Sequence, residues 1–113
     1  MKKILWLIAA AVALPMALHA ETWKNVPLMD AMCAGKADAK ANPDAHSKTC
    51  AIQCEKSGYG ILSSDGKFLK FDAAGNKQVE AALKATKKTD HLRVDVDGDL
   101  KGSEIAVKSV SLD

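Results

Sequence analysis

The chain has 113 residues, a formal net charge of +2 from 16 Lys+Arg against 14 Asp+Glu, and only 4% aromatic residues. Two of the 16 basic residues, Lys2 and Lys3, stand at the N-terminus, so 14 basic residues face 14 acidic ones in the rest, which is formally neutral. A neutral chain in which lysines and acids alternate exerts no long-range pull on phosphates, and this argues against nucleic-acid binding.

The first 20 residues have the three parts of a secretory signal: Lys2 and Lys3, an uncharged apolar run over residues 4–14, and Pro15 ahead of a short stretch ending at Ala20. Ala20 is small enough to precede a cleavage point, which makes Glu21 the expected mature N-terminus. The apolar run is about half of the roughly 20 residues needed to span a bilayer, so the expected product is periplasmic or secreted, with no membrane span after cleavage. Residues 21–113 then form a single domain. Its core must rest on Val, Ile, Leu and Ala, and a small core of this kind gains from a covalent or metal staple.

In chain order, residues 22–29 read as a strand, with Pro27 marking an edge or a bulge. Residues 30–41 read as a loop. Asn42-Pro43-Asp44 has the form of a helix start, and the helix is expected to run to Lys56 and end at Ser57-Gly58. Residues 59–62 and 67–71 are short apolar runs separated by Ser63-Ser64-Asp65-Gly66, a hairpin signal. A turn over residues 72–76 leads to an amphipathic helix over 77–86, with Val79 and Leu83 on its apolar side. Leu92, Val94 and Val96 alternate with Arg93, Asp95 and Asp97 in the next strand. After a turn at 98–102 comes a return strand, residues 104–112, whose apolar positions switch parity and predict a bulge near Ser109.

Five short strands with a helix between the third and fourth is the order of a small OB-like barrel, here mainly β (α+β), with a second, cysteine-bearing helix between strands 1 and 2. An open α+β sheet with both helices on one face is the alternative.

The candidate chemistry lies in Cys33 and in His46-x-x-x-Cys50-x-x-x-Cys54. On one continuous helix the last three fall within roughly 80° of one another. The charge-free face of that helix is centred on Cys50, while Ile52 falls among Asp44, Lys48, Glu55 and Lys56. The helix is therefore expected to dock through its thiol-bearing side, and burial at about 25 cal/mol per Å² would hold so small a face weakly. A staple would take one of two forms. A disulfide of Cys33 with Cys50 or Cys54 would contribute on the order of 3 kcal/mol. A metal ion, Cu or Zn, would take Cys33, His46, Cys50 and Cys54 as ligands, with Met29 and Met32 as accessory donors. Thiol redox chemistry is a third reading.

Other patterns fail. Cys54 is followed by Glu55, so no c-type haem motif is formed, and the acids at 95, 97 and 99 match a calcium loop in neither register. No nucleophile elbow or phosphate-cradling glycine loop is present. The expectation is thus a non-enzymatic binding module whose partner is a metal ion or another protein.

The stretch from Met29-Asp30-Ala31-Met32-Cys33 through His46–Cys54 and Gly58-Tyr59-Gly60 to the closing strands resembles a group of small, uncharacterised secreted bacterial proteins. That resemblance covers nearly all of residues 21–113. It implies an OB-type barrel and export, with a cysteine after strand one followed by the His-x-x-x-Cys-x-x-x-Cys motif. It implies no established activity.

Overall fold

The computed structural model describes residues 19–113, and the expected signal peptide, apart from His19 and Ala20, lies outside the described residues. The strands are β1 (His19–Asp30), β2 (Tyr59–Leu62), β3 (Phe68–Phe71), β4 (Arg93–Lys101) and β5 (Glu104–Leu112). They close into a barrel in the order β1-β2-β3-β5-β4. Neighbours are antiparallel except for the short parallel seam of β3 on β5, at Lys70↔Glu104 and Phe71↔Ile105. The architecture is a small OB-like α+β barrel, as the strand order predicts.

The interior follows from alternation along the strands. Val94, Val96, Ile105, Ile61, Leu28 and Phe71 point inward and are fully buried, while Arg93, Asp95 and Asp97 alternate outward. The predicted bulge is present: Asp97 pairs with Ser109 but Gly98 with Val107, so Lys108 is the extra residue. Gln78 caps the irregularity, accepting from the Val110 amide at 2.9 Å and donating to the Lys108 carbonyl at 3.4 Å. A second irregularity lies in β1 between Trp23 and Val26, just before Pro27.

Helix α4 (Ala73–Ala85) packs on the barrel through Gly75, Val79 and Leu83. It starts earlier than the sequence suggests. Asp72 is its N-cap, accepting from the Gly75 amide at 3.0 Å, and the turn expected over 72–76 is the first turn of the helix. Gly75 serves close packing here. A Cβ at this position would lie 2.5 Å from Val107 Cγ2. Strand β4 likewise continues through Gly98, so the turn expected at 98–102 shrinks to Gly102 and Ser103.

The largest departure is the segment between β1 and β2. The expected loop over 30–41 holds two short helices, α1 (Ala31–Ala34) and α2 (Ala37–Ala41). The expected single helix over 42–56 is three pieces: a 3-10 turn (Pro43–Ala45), helix α3 (Lys48–Gln53) and a second 3-10 turn (Glu55–Ser57). The break falls at His46 and Ser47, both extended, where Ser47 becomes a new N-cap by accepting from the Cys50 amide at 3.1 Å.

That break resets the helical phase. Helix α3 docks through Ala51, fully buried, and through Ile52, which packs against the barrel core, while Cys50 is exposed. The expectation that the thiol-bearing side faces inward is thus overturned at Cys50, whereas His46 is buried and Cys54 half-buried. What holds the segment down is polar. The Tyr59 hydroxyl donates to the Ala51 carbonyl at 2.8 Å, Lys48 Nζ donates to the Thr86 carbonyl at 2.9 Å, and Arg93 clasps Asp44 through Nε (2.9 Å) and Nη2 (3.1 Å). The two-point clasp holds the Asp44 carboxyl below its ordinary range.

Candidate metal centre

The centre begins where β1 ends. Asp30 pairs with Tyr59 in the β1–β2 ladder, and the next amide, of Ala31, donates to the Gly58 carbonyl at 2.9 Å. The Asp30 side chain then turns back as the N-cap of α1, with Oδ2 accepting from the Cys33 amide at 2.9 Å. This leaves Oδ1 to point elsewhere, in a residue with no exposed surface.

Oδ1 meets His46. The imidazole Nε2 lies 2.8 Å from it, in a residue only 8% exposed. The two atoms form a buried ion-pair contact, and among the described residues neither has a hydrogen-bond partner besides. A buried carboxylate oxygen and ring nitrogen this close depend on each other, or on a shared cation, for their polar contacts. The Cys33 sulfur stands beside them. An oxygen of Asp30, the sulfur of Cys33 and a ring nitrogen of His46 all lie within 4.8 Å of one another, a group able to hold a metal ion. Ligand atoms on a tetrahedral zinc are about 3.3–3.8 Å apart, so an ion held through Asp30 Oδ1 and His46 Nε2 requires that 2.8 Å pair to open by about 0.5 Å.

Cys54 borders the same group. Its carbonyl accepts from Ser57 Oγ at 2.7 Å, and that oxygen in turn accepts from the Met32 amide at 3.3 Å, which draws the end of α3 against α1. Burial first, then the charge of Asp30 and a hydrogen bond to its carboxylate, push both the Cys33 and the Cys54 thiols above the ordinary value, and each is also raised by a neighbouring cysteine.

Of the residues singled out from the sequence, Cys33 and His46 converge and Cys54 flanks them. Cys50 stays at the surface, on α3. Met29 is buried in a satellite cluster with Ala34 and Leu62, against which Cys33 packs, whereas Met32 is 59% exposed. All three cysteines are thiols, so neither the bridge of Cys33 to Cys50 nor that to Cys54 is formed. Asp30 is the member that sequence reasoning missed. Its signal was local, an acid three residues before Cys33 and ahead of the short Ala31-Met32-Cys33-Ala34 run, which is the form of an N-cap.

Comparison with protein-family models, with curated proteins and with solved structures returns no match to this chain. Among the described residues, no helix is long and apolar enough to cross a membrane.

Proposed function

We propose that the chain is an exported, non-enzymatic binding module whose Asp30/Cys33/His46 centre, completed by Cys54, holds a single metal ion, zinc in preference to copper. The supporting observation is the buried close pair of Asp30 Oδ1 and His46 Nε2, 2.8 Å apart, set beside the Cys33 thiol. One ion would satisfy all three. A carboxylate, an imidazole and thiolates form a borderline donor set that suits Zn(II), whereas Cu(I) favours sulfur alone.

The test is elemental analysis and calorimetric titration of residues 21–113 with zinc. One equivalent is expected to bind and to release protons at neutral pH, because the raised thiols are protonated before binding. Cys33→Ser and His46→Ala are each expected to weaken binding by at least about tenfold to a hundredfold. No uptake, or uptake indifferent to both substitutions, sinks the reading.

A disulfide-braced protein-interaction domain is the second reading, favoured by the placing of Cys33 and Cys54 on one carboxylate. Thiol counting on natively purified protein separates the two, with three thiols expected for a metal centre and one for a bridged domain.

A further inference from the structure

An open cleft of about 470 Å³ lies between α2, the first 3-10 turn and α3. Its walls include the small apolar side chains of Ala39 and Ala45, the exposed carboxylate of Asp38, the thiol of Cys50, and His46. His46 therefore belongs to two places. It borders the cleft, yet it is more than nine-tenths buried and its Nε2 is turned to Asp30 Oδ1, 2.8 Å away. Cys50 is the exposed cysteine of the three and stands in the same cleft.

We propose that this cleft is the path by which metal reaches the buried centre, with Cys50 as the capturing ligand that takes a divalent ion from an external thiolate or amine donor and passes it inward. This rests on the zinc reading above and adds to it a role for the cysteine that the centre does not use. Asp30 has no exposed surface and His46 very little, so an ion cannot reach them directly from bulk water. Cys50 lies within α3 and Cys54 caps its C-terminus, its amide donating to the Cys50 carbonyl, and Cys54 adjoins the Asp30 carboxylate. The thiols thus step from the exposed Cys50 to the half-buried Cys54 at the end of α3, and the cleft beside them runs from Cys50 to His46. The negative charge of Asp38 at the rim favours a cation.

The transfer balances without any change of oxidation state. Cys50 loses its thiol proton to water as its sulfur–zinc bond forms and the donor's bond to zinc breaks. The Cys33 thiol then gives its proton to water as a sulfur–zinc bond forms there. The Cys50 bond breaks last, and that sulfur takes a proton back from water.

The experiment uses residues 21–113 with zinc and a chromophoric chelator, followed by stopped flow, in wild type and Cys50→Ser. Cys50 is exposed, so the substitution leaves the fold in place. The equilibrium affinity is expected to stay within about threefold of wild type. Both zinc loading and chelator-driven removal are expected to slow by at least about tenfold, equally in the two directions. In zinc-loaded wild type, an alkylating reagent is expected to label Cys50 while Cys33 is protected. Unchanged rates overturn the proposal. So does a loss of affinity as large as that of Cys33→Ser, which would make Cys50 a resident ligand. If wild type takes up no zinc, the centre itself is refuted together with its path, a result separate from normal uptake at unchanged rates.

Discussion

The barrel and the segment between β1 and β2 are held by different forces. The barrel closes on Leu28, Ile61, Phe71, Val94, Val96 and Ile105, each essentially without exposed surface. Across residues 31–58 the buried apolar side chains are only Ala34 and Ala51, and the segment's buried polar residue, His46, meets Asp30 at the end of β1. It is fastened from outside itself, by Tyr59, Arg93 and the Lys48–Thr86 contact. A segment with so little apolar area leaves room for thiols and an imidazole, and it depends on its polar tethers as well as on Ala51 and Ile52 to stay in place.

Removing a part from each region tests that difference. Phe71→Ala opens the barrel core and is expected to cost about 3–5 kcal/mol, read as a large fall in the denaturation midpoint with all regions melting together. Tyr59→Phe leaves the Ala51 carbonyl without its donor and is expected to cost about 1–3 kcal/mol, with amide exchange in α3 rising more than in β4. A uniform rise would erase the distinction between the regions.

Tyr59 also reports directly on burial, because it is the chain's one tyrosine and burial raises its phenol from 10.0 to about 12. The unfolded chain loses that proton first, so stability is expected to fall as pH rises from 10 towards 12, with the phenolate absorbance titrating at the higher value in the native protein.

The smallest effect is expected on the barrel's outer face, where Asp97 accepts from Thr22 Oγ1 at 2.6 Å and Ser109 Oγ at 3.2 Å. Those bonds lower its pKa below 3.8, so its contribution is complete above that value and is lost as pH falls through the lower folded value. Asp97→Asn should lower Tm slightly at neutral pH and not at all in strong acid, a difference visible in paired melting curves.

The barrel was legible because its rules are local. The alternation of Leu92, Val94 and Val96, the hairpin at 63–66 and the parity switch near Ser109 are all written in adjacent residues. The segment before β2 was not. A helix start at Asn42 and a stop at Gly58 read correctly as punctuation, but the break at His46 depends on Arg93, Thr86 and Thr89 drawing Asp44 and Lys48 towards distant parts of the chain. Two of the three residues of the centre followed the sequence. Cys33 and His46 meet as the residue types suggest, while Asp30 was hidden by its resemblance to any acid opening a loop.

The strand order also governs when the molecule can assemble. The N-terminal half of β1, from His19 to Trp23, pairs only with β4, from Leu100 to Val96, and β3 finds its parallel neighbour only in β5. A chain emerging N-terminus first therefore keeps the first half of its opening strand unpaired until some eighty further residues have followed. Such long-range closure makes assembly late and nearly all at once.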